Sequence, residues 1–123
     1  MVSIQFRSEH LCNGAILSPT WVVSTARPFY NMTESINRFK AVAGTLRLGN
    51  NANAVQVSNI SRAVLHPNFY FESNSPVMHN DIAAVEMETP FIFFRTVRNI
   101  NLPYKSEEFF WKDHGCRLGC NEF

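Results

Sequence analysis

At 123 residues, with 46% hydrophobic and 17% charged side chains, the chain has room for one compact domain and the composition of a folded one, not of a disordered tail. The formal net charge is +1 and the basic residues are scattered, so nothing electrostatic points to nucleic acid or an anionic membrane surface as a partner. No apolar run approaches the roughly 20 residues that cross a bilayer as a helix.

Taken in order, the chain reads as short strands joined by turns. Val2-Ser3-Ile4-Gln5-Phe6-Arg7 alternates apolar and polar directly after Met1, which is a strand pattern and not a signal peptide. The chain thus opens inside a folded element, as a fragment or a late-starting reading frame would. His10–Leu17 predicts a second strand. Ser18-Pro19-Thr20 breaks it, and Trp21-Val22-Val23 is a continuous apolar run suited to a buried strand. Phe39–Leu46 follows, then Gly49-Asn50-Asn51-Ala52-Asn53, a turn of residues that tolerate positive φ. Val55 and Val57 alternate with polar neighbours, and Ile60–Leu65 predicts a further strand closed by His66-Pro67. A polar loop, Glu72–Asn80, leads to Ile82-Ala83-Ala84-Val85 and a stop at Thr89-Pro90. Thr96–Lys105 reads as an extended connector, and Gly115–Gly119 as the start of a last strand. About six strands with turn signals at short intervals and no helical period predict an all-β fold, a small antiparallel barrel.

Cys12, Cys116 and Cys120 are an odd number, so at least one thiol is unpaired. His114-x-Cys116-x-x-x-Cys120 supplies three metal ligands where structural zinc takes four, and His10, His66 and His79 are dispersed, so neither a metal nor a cofactor is expected. Asn31-Met32-Thr33 and Asn59-Ile60-Ser61 are glycosylation sequons that would suit a secreted protein.

Three segments carry a resemblance. His10-Leu11-Cys12-Asn13-Gly14-Ala15-Ile16-Leu17 followed by Trp21-Val22-Val23-Ser24-Thr25-Ala26 resembles the stretch of trypsin-like serine proteases that ends in Ala-Ala-His-Cys. Leu65-His66-Pro67-Asn68-Phe69 resembles the segment before the acid of their catalytic triad, and Asn80-Asp81-Ile82-Ala83-Ala84-Val85 their Asn-Asp-Ile-Ala-Leu block, in which the Asp is that acid. The order and separation of the three fit, from Val2 to about Gly119. The resemblance implies the first of two six-stranded antiparallel β-barrels over residues 1–95, a connector over 96–111, and the first strand of the second barrel over 112–123. The rest of the second barrel, which in that family brings the nucleophilic Ser, the oxyanion hole and the specificity pocket, is missing from these residues.

By the same resemblance Asp81 matches the triad acid and Arg27, in Thr25-Ala26-Arg27-Pro28, occupies the position of the base. A guanidinium keeps its proton at any relevant pH and has no acceptor lone pair, so Arg27 cannot activate a nucleophile. No Gly-Asp-Ser-Gly occurs in the sequence. Pro28 stands where the disulfide partner of Cys12 is expected, which leaves Cys12 an unpaired and buried thiol, while Cys116 matches a position whose partner would lie in the missing part. Base and acid positions adjoin in the family, with the acid shielded from water. Two arrangements follow: a salt bridge from Arg27 to Asp81, or an Asp81 that hydrogen-bonds nearby backbone beside an Arg27 that points to solvent. Functionally, the resemblance implies an inactive, extracellular homologue that binds a protease or another protein of a proteolytic cascade as a decoy or cofactor. The alternatives are a fragment of a trypsin-like endopeptidase and a degenerate product. The face left for the second barrel, with Phe91, Phe93, Phe94, Phe109, Phe110 and Trp111 as candidates, is expected to be exposed and to promote self-association.

Overall fold

The computed structural model describes residues 1–44 and 55–103. Six strands close into an antiparallel barrel: β1 (Val2–Phe6), β2 (Glu9–Ser18), β3 (Trp21–Ser24), β4 (Phe39–Ala43), β5 (Gln56–Leu65) and β8 (Ala83–Met87). Around the barrel their order is β1-β2-β3-β8-β5-β4, and β4 pairs back onto β1. Closure leaves no open edge in the barrel sheet, which removes the template for edge-to-edge association. Outside it, β6 (Tyr70–Phe71) and β7 (Met78–His79) form a two-stranded hairpin.

Alternation explains the strands. Val2 and Ile4 of β1, Phe39, Ala41 and Ala43 of β4, and Ala83, Val85 and Met87 of β8 point inward and are buried, with exposed or half-buried residues between them. Small residues opposite large ones fill the narrow interior. Phe39 is fully buried, its ring centroid 4.8 Å from that of Phe6 and 4.9 Å from that of Phe29. Gly14 in β2 is required by this packing: a Cβ there would lie 2.6 Å from Cγ1 of Val22 and 3.1 Å from the Val23 carbonyl oxygen. Register shifts at Ile4/Gln5, Ile16/Ser18 and Ile60/Arg62 bend the strands so that the sheet can close.

The expected barrel is therefore present, with two differences of detail. The segments read separately around Val55–Val57 and Ile60–Leu65 are one ten-residue strand, β5, because polar Ser58 and Asn59 sit within a continuous ladder against β4. Phe91, expected at the surface, is 3% exposed: its N–H donates to the Pro19 carbonyl at 2.7 Å and its side chain joins the core with Val97. The Gly49–Asn53 turn, the Gly115–Gly119 strand, Phe109, Phe110 and Trp111 lie outside the described residues.

Candidate functional site

The site is built where β3 ends and β8 begins. After Ser24 the chain leaves the barrel through Thr25 and buried Ala26 into a 3-10 turn, Arg27–Phe29. Pro28 lies in its first turn, where the missing N–H costs nothing and the fixed φ suits a helical start. Phe29 and Tyr30 close the turn through N–H bonds to Ala26 and Arg27 carbonyls at 3.0 and 3.2 Å. No side chain of the turn itself caps it.

The cap comes from Asp81. Asn80 takes a positive φ of 54°, which Asn tolerates better than most residues, and the Ile82 N–H donates to the Asn80 carbonyl at 2.8 Å. That tight turn aims the half-buried Asp81 carboxylate at the end of β3. Its Oδ1 accepts the backbone N–H groups of Ala26 and Arg27, both at 2.8 Å. Two donors that begin a helical turn, and would otherwise lack partners, are thus satisfied from outside.

Arg27 is exposed, and its side chain takes a different course from its amide. The guanidinium carbon lies 4.5 Å from the centroid of the Phe71 ring. Phe71 belongs to a three-ring cluster, with centroid separations of 5.2 Å to Tyr30 and 6.0 Å to Phe69, and 5.8 Å between Tyr30 and Phe69. The structure thus brings Arg27 and Asp81 together through the main chain and not through a salt bridge. The one ion pair among the described residues is elsewhere, Arg62 Nε to Glu86 Oε1 at 3.1 Å. Of the two expected arrangements, the one with Asp81 on nearby backbone is found and the salt bridge is not, and the exposed Arg27 guanidinium takes an aromatic face as its partner.

The other sequence candidates are spread out. Cys12 forms no disulfide with any described residue; it is half-buried, less shielded than expected, with its Sγ 3.4 Å from the Ser24 hydroxyl. Ser3 and His10 share a 2.7 Å hydrogen bond, the Nδ1 of His66 accepts the Asn68 N–H at 3.0 Å, and His79 stacks on Tyr70 at 4.2 Å. No cluster of three or more metal-ligating side chains occurs among the described residues. His114, Cys116 and Cys120 lie outside them. Asn31 and Asn59 are both exposed.

Sequence reasoning missed Phe71 and its ring cluster. The signal was the run Phe69-Tyr70-Phe71, three aromatics just before the polar loop, whose two-residue strand is too short to show a period.

Comparison with known proteins matches residues 1–121 to a family model described as Trypsin. A curated relative, a protein named "Trypsin" from Phaedon cochleariae, is 30% identical over 112 residues. The match covers 87% of this chain and 39% of that protein, so the chain spans well under half of the relative's length.

Proposed function

The chain belongs to the trypsin family, and from that premise we propose that it is a non-catalytic member that acts by binding, as a decoy or cofactor in an extracellular proteolytic cascade. One observation carries the reading. The residue whose amide sits on the Asp81 carboxylate, where the family resemblance puts the general base, is an arginine. A guanidinium cannot accept the proton of a serine hydroxyl, so a nucleophile brought alongside would stay unactivated.

The extracellular setting is proposed from the family and is supported by the two sequons. No helix among the described residues is long and apolar enough to cross a membrane. The partner is proposed to be a protease or another protein of the cascade.

A serine-directed fluorophosphonate and a panel of peptide substrates test the reading. No labelling and no cleavage are expected. Labelling that disappears when a single Ser is replaced would overturn it. A second reading, a segment of a trypsin-like endopeptidase, is favoured by the 39% coverage of the relative. Coding sequence downstream that supplies Gly-Asp-Ser-Gly would support that alternative, and Arg27 would then decide whether the longer protein is active.

A further inference from the structure

The two sequons lie in opposite kinds of backbone. Asn31-Met32-Thr33 occupies the turn between the 3-10 segments Arg27–Phe29 and Thr33–Arg38. Asn31 is exposed at φ 57°, in the left-handed region that Asn accepts with little cost, and Thr33 is exposed two residues on. The backbone bonds at this turn among the described residues are local, from the Met32 N–H to the Phe29 carbonyl at 3.1 Å and from the Ser35 N–H to the Met32 carbonyl at 3.0 Å. Asn59-Ile60-Ser61 lies inside β5. Asn59 faces Lys40 of β4, and Ile60 faces Met87 of β8 and is 2% exposed. The Asn59 carbonyl accepts the Glu88 N–H at 2.8 Å, and the Ser61 hydroxyl donates to the Glu86 carbonyl at 3.2 Å.

A transferase that glycosylates asparagine must hold the amide and the hydroxyl two residues later in its own cleft. An exposed turn with local bonds can enter such a cleft before or after folding. A strand paired with β4 up to Asn59 and with β8 from Ile60 onward can enter only before these ladders form, and here the acceptor hydroxyl, at the register shift between Ile60 and Arg62, is engaged by the neighbouring strand. From this contrast we infer that Asn31 is a site of N-linked glycosylation and that Asn59 is not. In the reaction the Asn31 Nδ2 bonds to the anomeric carbon of an oligosaccharide carried on a lipid pyrophosphate. The pyrophosphate leaves with the bonding electrons, and the amide gives up one proton. The sugar is then rooted next to Tyr30, beside the ring cluster that carries Arg27.

The site rests on the extracellular reading, and the test separates the two. The full chain is translated behind a cleavable secretion leader in the presence of microsomes, which delivers it to the transferase whatever its native address. One glycosidase-sensitive step in gel mobility is expected, lost in Asn31→Gln and also in Thr33→Ala, which keeps the asparagine, and retained in Asn59→Gln. A step that survives Asn31→Gln, two steps, or none overturns the assignment. Recovery of the native protein from the cytosol alone would count instead against the extracellular reading.

Discussion

Asp81 holds Arg27 by its backbone, at 2.8 Å from Oδ1 to the amide nitrogen, while the guanidinium of the same residue rests 4.5 Å from the Phe71 ring centroid. The acid and the arginine are therefore parts of two separate devices. One ties the end of β3 to the start of β8. The other pins an exposed cation to the β6–β7 hairpin. This division sets the ranking of their mutants.

Asp81→Ala should be the costly change. It removes a charged acceptor from two backbone donors, one of them on fully buried Ala26, and a stranded buried donor costs about 1–3 kcal/mol. Asp81→Asn keeps an oxygen that can accept both bonds and loses only the charge assistance, so it should cost about 1 kcal/mol, since charged hydrogen bonds are roughly twice as strong as neutral ones. Urea unfolding of the two variants checks the order. Equal stability of Asp81→Ala and the parent would show that the cap contributes nothing.

Arg27→Ala should be milder, about 0.5–1 kcal/mol, the range for a cation on an aromatic face at an exposed site. Bridge formation would have predicted the reverse order, because removing Arg27 would then strand a carboxylate. A double-mutant cycle with Phe71→Leu should return a coupling of about 0.5 kcal/mol or more, as expected for residues in contact. Strict additivity would place the guanidinium away from the ring in solution.

How much of this was legible from the residues depended on whether the cause was local. Alternation at Val2, Ile4 and Ala83, Val85, Met87 marks strands because the side-chain period is a property of the strand itself. The block around Asp81 was legible as a motif, and so was its position relative to Arg27. What the guanidinium touches was not legible. That choice depends on where the hairpin carrying Phe71 comes to lie, and its two-residue strands leave no pattern in the sequence. Phe91 was misjudged for a similar reason. In a run of Phe and Ile the sequence does not say which ring turns back into the core, and the bond from its amide to Pro19 decides it.

Gly14→Ala should destabilise the barrel by about 1–3 kcal/mol, the usual cost of overpacking a filled interior. The added methyl meets Cγ1 of fully buried Val22 and the Val23 backbone carbonyl, and the carbonyl cannot turn away without breaking the pairing of β2 and β3. Trimming the side chain with Val22→Ala should recover only part of the loss, since it exchanges a clash for a cavity. Thermal melts of the single and double variants test this, and full recovery in the double variant would mean that the carbonyl contact is harmless.

An exposed apolar strip follows β8. Ile92, Phe94 and Leu102 are 74%, 65% and 62% exposed, and Phe93 and Ile100 are partly exposed beside them in sequence. These side chains stand on an anchored backbone. The Gln56 side chain both accepts the Ile92 N–H and donates to its carbonyl, each at 2.7 Å, and Phe94 and Val97 exchange N–H bonds at 2.8 and 3.2 Å. Apolar groups fixed in water in this way gain by meeting one another across molecules. The isolated chain should therefore associate reversibly as concentration rises, seen in sedimentation velocity as a rising weight-average mass. Ile92→Ser and Phe94→Ser should each weaken the association, yet leave unfolding of the monomer within about 0.5 kcal/mol of the parent, because neither side chain is buried in it. Gln56→Ala separates the two contributions: it keeps every apolar group but frees the backbone that presents them, so association should weaken without loss of apolar area. A monomer at high micromolar concentration that binds no apolar dye would refute the prediction. Association that survives both serine variants would move the contact to another face.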